Sequence, residues 1–314
     1  MTIVKEGMLS LLMGSLFCVL FVPSMAVTAA EEKDEKKAEA KAEPEPKPVS
    51  VFPDKNLEAV VRKYVFAKRD NDEPITAEDV KDLSTIDHKW RKGKKVRGKE
   101  VGRVKDLTGL EKCRSLALLR LSDHEITDLK PVVDLKNIQS LDLSGNKIED
   151  VSPLSGLVKL QYVVLASNQI SDLTPLAKLE NLRSLYVSQN KISDATAVGG
   201  LTKLWSLYLD GNQVSDITPL KTLKNLSSLD LRSNQVKDLS PLVGMTELRF
   251  LLIDDNKVSD ISVLIDMAKK DAEKEKRFAP YWEVYLAGNL VKKNQVDELK
   301  KLVRKVQFTK KKTF

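Results

Sequence analysis

The fold is decided by a 22-residue unit, which in residues 182–203 reads LRSLYVSQNKISDATAVGGLTK. Apolar and polar side chains alternate between Leu185 and Val187, which is the spacing of a β-strand with one buried face. The positions expected to point inward are Leu182, Leu185, Val187, Asn190 and Ile192. One unit is too short to cover these side chains by itself, so copies must stack and cover one another.

Copies of the unit follow one another with a constant 22-residue period from Leu116 onward. The asparagine recurs as Asn146, Asn168, Asn190, Asn212, Asn234 and Asn256, with His124 in the same place one unit earlier. An aspartate recurs as Asp106, Asp128, Asp150, Asp172, Asp194, Asp216, Asp238 and Asp260. A proline recurs as Pro131, Pro153, Pro175, Pro219 and Pro241, and Ala197 and Val263 replace it in two units. Because proline interrupts a helix, each unit must turn back on itself, and the repeat predicts a solenoid with parallel strands along one face.

The asparagine series predicts a structural ladder. A buried Asn can donate and accept hydrogen bonds where the main chain of a tight turn cannot pair with itself. The next asparagine in register is Asn289, which follows Asn256 by one and a half periods, so half a period is inserted between them. We expect this insertion to form a helix near residues 265–277.

The repeated pattern LxxLxxLxLxxNxIxDLxPL resembles the internalin-like class of bacterial leucine-rich repeat proteins, over about residues 51–308. The resemblance implies an α/β leucine-rich repeat solenoid that is right-handed and curved, with parallel strands on its concave face and helical caps at both ends. It also implies that recognition is carried by the concave face.

Outside the repeats, the sequence predicts four further segments. These are a signal peptide at 1–29, a disordered charged linker at 30–50, an N-terminal helical cap with a basic loop at 51–103, and a C-terminal cap helix with a basic tail at 294–314. The repeats themselves take up residues 104–293. One cap helix should begin at Pro53 and Asp54, and a second, in ITAEDVKDLSTID, should have Thr76 as its N-cap.

The N-terminal segment indicates export. Lys5 precedes an apolar run of about 15 residues, which is short for a membrane span, and small residues allow cleavage after Ala26 or Ala29. We therefore favour cleavage over retention as an anchor, and a periplasmic, cell-surface or secreted location. Cleavage removes Cys18 and leaves Cys113, so no intramolecular disulfide would be possible.

Catalytic and metal-binding patterns are missing from the sequence. The chain has only two histidines, His88 and His124, without ligand-spaced companions, and it has no GxSxG nucleophile elbow. The aspartates recur in every unit, as structural residues do and a single active site does not. We therefore expect no enzymatic activity, no metal and no cofactor.

Outward positions of the strands supply the first candidate binding surface, and aromatic residues gather in its middle units. The candidate residues are Tyr162, Val164, Tyr186, Trp205, Tyr208, Asp230, Phe250, Leu252 and Tyr285. Tyrosine and tryptophan are enriched at protein interfaces, so we expect a protein partner on this face. Two alternatives are that the aromatics merely cover neighbouring strands and that the chain is a structural spacer.

The second candidate surface is electrostatic. Nine bases and one acid lie between Lys89 and Lys105, and seven bases lie between Lys300 and Lys312, in a chain of net charge +7. The candidate residues of the loop are Lys89, Trp90, Arg91, Lys92, Lys94, Lys95 and Arg97. Such clusters attract polyanions, and for an exported protein we expect an anionic glycan or lipid surface rather than nucleic acid. The alternative is a solvated loop and tail.

Overall fold

Most strands of the described part of the chain belong to one parallel sheet. In chain order the strands are β1 Thr85–Lys89, β2 Lys95–Val96, β3 Lys99–Glu100, β4 Leu118–Ser122, β5 Ser140–Asp142, β6 Tyr162–Val164, β7 Ser184–Tyr186, β8 Ser206–Tyr208, β9 Ser228–Asp230, β10 Phe250–Leu252, β11 Glu283–Tyr285 and β12 Lys305–Gln307. The short β2 and β3 form a separate antiparallel pair. The other ten strands pair in chain order, with β1 next to β4. This is a leucine-rich repeat solenoid, as the 22-residue period predicts.

The structure is a computed structural model that describes residues 48–93, 95–96, 98–273 and 277–309. The predicted signal peptide and most of the charged linker lie outside these residues. So do Lys94, Arg97 and the last five residues of the basic tail. No helix in the described ranges is long and apolar enough to cross a membrane.

Each coil returns through a short 3-10 turn on the side opposite the sheet. These turns are Leu110–Lys112, Lys130–Val132, Ser152–Leu154, Thr174–Leu176, Thr196–Gly200, Thr218–Thr222, Ser240–Leu242 and Ala279–Tyr281, and another 3-10 turn, Phe66–Lys68, lies in the N-terminal cap. The recurring aspartate precedes each regular turn and accepts a main-chain hydrogen bond two residues on; Asp172 Oδ1, for example, lies 2.7 Å from Thr174 N. The aspartate series is therefore structural, in agreement with its recurrence.

The core runs without a break along the solenoid. In the unit of residues 182–203, Leu182, Leu185, Val187 and Ile192 are fully buried, and Asn190 is 9% exposed. Full burial of one such aliphatic side chain contributes roughly 1.5–3 kcal/mol. Because the burying atoms belong to neighbouring coils, stability depends on stacking.

The N-terminal cap is formed by α1 Lys55–Arg62 and α2 Ala77–Val80. Asp54 caps α1 by accepting from Asn56 N and Leu57 N, and its other oxygen accepts from Lys105 N at 2.8 Å. Burial raises the pKa of Asp54, but these main-chain bonds outweigh it and the pKa lies below its ordinary value. The cap helix is thereby tied to the first repeat.

Two sequence expectations about the ends are wrong in detail. The predicted second helix stops at Val80, and its last residues instead form β1, which pairs with β4 and extends the sheet. At the other end, the predicted cap helix is α4 Lys293–Leu299 only, and of the basic residues that follow it, Lys305 enters β12. In both places an exposed sheet edge offers hydrogen bonds to a strand, and tertiary pairing overrides the helical pattern.

The inserted segment forms α3 Ser262–Glu273, which begins three residues before the predicted position. Leu264, Ile265, Met267 and Ala268 of α3 are buried. The helix therefore begins at the position where the 3-10 turn follows the aspartate in regular coils. The turn Ala279–Tyr281 comes later in this coil, and β10 still pairs with β11 in parallel.

Candidate binding surface

The outward side chains of the sheet form two rows because successive strands are in register. The first row contains Leu118, Ser140, Tyr162, Ser184, Ser206, Ser228, Phe250, Glu283 and Lys305. The second row contains Arg120, Asp142, Val164, Tyr186, Tyr208, Asp230, Leu252, Tyr285 and Gln307. We call this surface the outer sheet face; it corresponds to the predicted concave face.

Three tyrosines lie in contact across β6, β7 and β8, and we call them the tyrosine ladder. The ring centroids of Tyr186 and Tyr208 are 4.7 Å apart in a stacked arrangement, and those of Tyr162 and Tyr186 are 5.4 Å apart. Tyr162 is 39% exposed, and the other two rings are half-buried. The sequence predicted that these residues face outward, and the structure brings them together as one aromatic surface.

The small residues beside the ladder determine its shape. Ser184, Ser206 and Ser228 occupy the first row where the second row carries Tyr186, Tyr208 and Asp230. Because a serine side chain is short, the flanks of Tyr186 and Tyr208 stand above the neighbouring row. The ladder is therefore bordered by short side chains on the side of the first row.

A second apolar area lies on β10. Phe250 is 40% exposed and Leu252 is half-buried, whereas the half-buried Val164 lies on β6 beside the tyrosine ladder. Tyr285 on β11 donates from its hydroxyl to Glu283 at 2.8 Å and lies under the Lys305 ammonium, which is 4.4 Å from the ring centroid. Tyr285 is thus occupied by charged neighbours, and Phe250 is the more accessible anchor.

Asp230 separates the two apolar areas, and its exposure differs from the prediction. Its side chain is fully buried because the Arg232 guanidinium covers it, with Nε at 2.9 and 3.0 Å from the two carboxylate oxygens. Burial raises the pKa of Asp230, while the hydrogen bonds from Arg232 oppose this rise. A partner would therefore contact Arg232, which the sequence analysis did not select, rather than Asp230.

Trp205 lies just before β8 and is 56% exposed. The Arg183 guanidinium lies 5.8 Å from the centroid of a ring of Trp205. Trp205 is thus close to Tyr208 of the tyrosine ladder in sequence. It pairs with the Arg183 cation on the side of the sheet where the strands begin.

The basic loop is organised around Trp90. Its indole Nε1 donates to Val101 O at 3.2 Å, and the Arg103 guanidinium lies 4.2 Å from a ring centroid. Lys89 lies 3.2 Å from Asp123, and Arg91, Lys92 and Lys95 are exposed. Trp90 therefore fastens the two ends of the loop together, which gives it a structural part in this region.

The asparagine ladder is a repeated hydrogen-bond unit. In Asn146, Oδ1 accepts from Ile126 N at 3.0 Å, and Nδ2 donates to Leu121 O and Leu143 O, both at 2.9 Å. Asn168, Asn190, Asn212, Asn234, Asn256 and Asn289 bond in the same way. These side chains thus join the main chains of successive coils.

A histidine pair continues this ladder toward the N-terminus. Val104 N donates to His124 Nδ1 at 2.9 Å, as Ile126 N donates to Asn146. His124 Nε2 lies 3.1 Å from His88 Nδ1, and both rings are 1% exposed. Burial lowers the pKa of His124 to about 4, so the His124 ring is neutral at neutral pH.

Reactive groups are few in the described ranges. Cys113 is fully buried, and burial raises the pKa of its thiol to about 12. Within the residues that the structure describes, no group of three or more His, Cys, Asp or Glu side chains could hold a metal ion.

The chain matches two families of known proteins. The family described as Leucine Rich repeats (2 copies) matches residues 136–178 and 224–266, and the family described as Leucine rich repeat matches residues 159–214. A search of curated proteins finds no match.

Solved structures give a closer relationship. Internalin C2 from Listeria monocytogenes is 31% identical, with 80% of this chain and 99% of that chain covered and a TM-score of 0.63. InlJ, also from Listeria monocytogenes, is 20% identical, with coverage of 82% and 60% and a TM-score of 0.58. The ectodomain of the plant receptor kinase GASSHO1/SCHENGEN3 from Arabidopsis thaliana, in complex with CASPARIAN STRIP INTEGRITY FACTOR 2, is 23% identical, with coverage of 62% and 24% and a TM-score of 0.51.

The last two likenesses concern the fold alone, whereas internalin C2 is matched over nearly its whole length. With the 22-residue repeat, the asparagine ladder and the parallel sheet, this match assigns the chain to a family. The protein is a member of the internalin-like leucine-rich repeat proteins of bacteria.

Proposed function

We propose that this protein is a non-enzymatic binding module that recognises a protein partner on its outer sheet face, with the tyrosine ladder as the main anchor. The observation that carries the proposal is the stacked Tyr162, Tyr186 and Tyr208 array, which is partly exposed on the middle strands of a face that also carries serines, charged pairs and the apolar area of β10. Aromatic side chains of this kind bury a large area while their hydroxyl groups keep hydrogen bonds.

The rigidity of the array supports binding rather than mere covering of strands. The three rings are carried by adjacent strands whose inward neighbours Val163, Leu185 and Leu207 are fully buried. A surface held in this way loses little conformational entropy when a partner binds. Stacked aromatics on fixed strands therefore match the properties of interface hot spots.

The distribution of charge supports a partner surface that has an apolar centre and a polar rim. On β4 and β5, Arg120 pairs with Asp142 at 3.3 Å, and Arg120 also pairs with Asp87 of β1 at 3.0 Å. Beyond the ladder, Arg232 covers Asp230. A protein surface with an apolar centre and a polar rim is complementary to this arrangement. The same fold in a plant receptor ectodomain occurs in complex with CASPARIAN STRIP INTEGRITY FACTOR 2, which is in keeping with a macromolecular ligand.

The experiment compares two matched chains in capture of proteins from an envelope extract of the producing organism. In the first, Tyr186 and Tyr208 are replaced by Ser, the residue already present in the neighbouring row. In the second, Tyr281, which is 55% exposed outside the sheet, is replaced by Ser. We expect the first pair of substitutions to abolish capture of a specific protein and the second to leave it unchanged, with the same circular dichroism for both.

Equal capture by the parent and the Tyr186/Tyr208 variant would reject the proposal. Capture that survives these changes, but disappears when the bases of the 89–105 loop are neutralised or when salt is raised, would favour a polyanion or envelope-surface binder instead. No captured protein in either chain would favour the structural spacer.

We also propose that the protein works outside the cytoplasmic membrane. The support is the signal-peptide pattern of residues 1–29 together with membership of the internalin-like family. N-terminal sequencing of the protein isolated from cell fractions tests this. We expect it to start after Ala26 or Ala29 in an envelope or culture-medium fraction; an unprocessed chain confined to the cytoplasm would contradict it.

A further inference from the structure

A basic groove of about 390 Å³ lies beside the outer sheet face, on the side where the strands begin. It is lined by Gln139, Lys159, Gln161, Asn181, Arg183 and Lys203. These are three cations and three amides, and the lining contains no acid. All six residues are exposed.

The two lysines of the groove are held in place without loss of charge. Lys159 Nζ donates to Asn137 Oδ1 at 2.7 Å, and Lys203 Nζ donates to Asn181 Oδ1 at 2.8 Å. Each acceptor is a neutral amide in the preceding coil, and Asn181 is itself fixed by donating to Val158 O at 3.0 Å. The ammonium groups are thus positioned for an incoming anion rather than neutralised by a carboxylate.

The groove residues are neighbours of the tyrosine ladder along the chain. Gln161 immediately precedes Tyr162 of β6. The Arg183 guanidinium lies over Trp205, and Trp205 immediately precedes β8, which carries Tyr208. A ligand that covers the ladder and extends toward the start of the strands therefore reaches Arg183 and the two lysines.

The extent of positive charge limits what can bind. The groove spans three coils, which corresponds to about 10 Å at a strand spacing of ~4.8 Å. Neutral Asn137 and Asn225 take the place of the lysines one coil beyond either end, and on the far side of the ladder lie Asp210 and Asp254. The three cations of the groove thus lie within a length that one or two carboxylates match.

We propose that the groove receives one or two carboxylates from an acidic segment of the protein partner, placed next to the apolar side chains that cover the tyrosine ladder. This inference rests on the proposed function, because it assigns a chemical character to the partner of that same face. It also adds Lys159, Arg183 and Lys203 as determinants of specificity.

The test uses the full chain and two synthetic peptides, acetyl-Gly-Glu-Glu-Gly-Phe-Gly-amide and its analogue with Gln in place of Glu, titrated in NMR experiments. At low salt we expect the Glu peptide to bind about threefold to tenfold more tightly, as exposed ion pairs allow, and to shift the Arg183 and Trp205 side-chain signals. The advantage should disappear at high salt, because exposed charges are then screened.

Matched variants separate the groove from general charge. Lys159→Gln, Arg183→Gln and Lys203→Gln together should abolish the advantage of the Glu peptide. The control, Lys178→Gln, Lys221→Gln and Lys237→Gln, makes the same change in net charge at exposed positions outside the groove lining and should preserve it.

Equal affinity for the two peptides, an advantage that survives the groove substitutions, or no measurable binding of the Glu peptide would overturn the proposal. A heparin-derived tetrasaccharide that binds the groove more tightly than the Glu peptide would overturn it in favour of a glycan. Failure of the proposed function is distinguishable: Tyr186→Ser would then leave the affinity of both peptides unchanged while the difference between Glu and Gln persisted.

Discussion

The asparagine ladder allows a quantitative prediction for one central coil. Asn212 Oδ1 accepts from Ile192 N at 3.0 Å, and Nδ2 donates to Val187 O at 3.0 Å and Leu209 O at 2.9 Å. The side chain is 8% exposed, so water cannot readily replace these bonds. The substitution Asn212→Ala removes the side-chain partner of one main-chain donor and two main-chain acceptors.

The expected loss follows from the number of groups affected. A buried polar group that loses its partner costs about 1–3 kcal/mol, so three such groups imply a fall of at least about 3 kcal/mol in the free energy of unfolding. The loss should be smaller for Asn225→Ala. Asn225 is exposed and donates one bond, to Thr202 O at 3.1 Å, which water can replace. For this control we expect at most about 0.5–1 kcal/mol.

Equilibrium unfolding in urea, followed by far-ultraviolet circular dichroism, measures both values. The two substitutions remove the same atoms within one 22-residue unit, so their difference isolates the contribution of the buried position. Equal destabilisation of Asn212→Ala and Asn225→Ala, within about 0.5 kcal/mol, would refute the assignment of the ladder as a main determinant of stability.

Three further predictions concern other buried features. The pKa of His124 is lowered to about 4 from 6.5, so its neutral state stabilises the fold above pH 6.5. This contribution of up to about 3 kcal/mol is lost as the pH falls from 6.5 to 4. His124→Asn should flatten the dependence of the urea midpoint on pH, and an unchanged dependence would exclude this role. In a Cys18→Ser chain, Cys113 should resist iodoacetamide at pH 8 in the native state and react after unfolding, because burial raises the pKa of its thiol to about 12. Mass spectrometry measures the labelling, and rapid labelling of the native state would contradict this expectation. Gly109 has φ +102°, and a Cβ there would lie 2.4 Å from Val51 O. Gly109→Ala should therefore destabilise the N-terminal cap by at least about 2 kcal/mol and expose the α1 amides to hydrogen exchange. Unchanged protection of the α1 amides would argue against this contact.

Much of the fold is predictable because each coil satisfies several local rules at once. Leu185 and Val187 set the strand, Asn190 sets the turn after it, and Asp194 sets the 3-10 turn. Repetition of these signals with a 22-residue period leaves little freedom in register. The predictions of the solenoid and of its inward positions were therefore correct.

The ends were less predictable because tertiary pairing decides them. The sequence of residues 300–305 is rich in Lys and Arg, which is typical of a solvated tail, but β11 offers an open edge with which Lys305–Gln307 pairs. The sequence of β1 contains His88 at an inward position, and its partner His124 is 36 residues away. No local pattern signals such a pair.

The candidate surface was predictable in composition but not in detail. Strand alternation correctly placed Tyr162, Tyr186 and Tyr208 on one face, because it follows from the pleat. Strand alternation could not show that Arg232 covers Asp230. That pairing requires the Arg232 side chain to fold back over the sheet toward the residue two positions before it. Nor could strand alternation find the basic groove, whose residues stand outside the strands and meet only when coils stack.

The proposal of a protein partner on the outer sheet face is tested most directly by photocrosslinking in intact cells. A photoreactive benzoylphenylalanine placed at Tyr186 should form a discrete adduct with one protein, identifiable by mass spectrometry, and the same group placed at Lys221, in the 3-10 turn on the opposite side of the coil, should not. Absence of an adduct at Tyr186, or the same adduct from both positions, would contradict recognition through the tyrosine ladder.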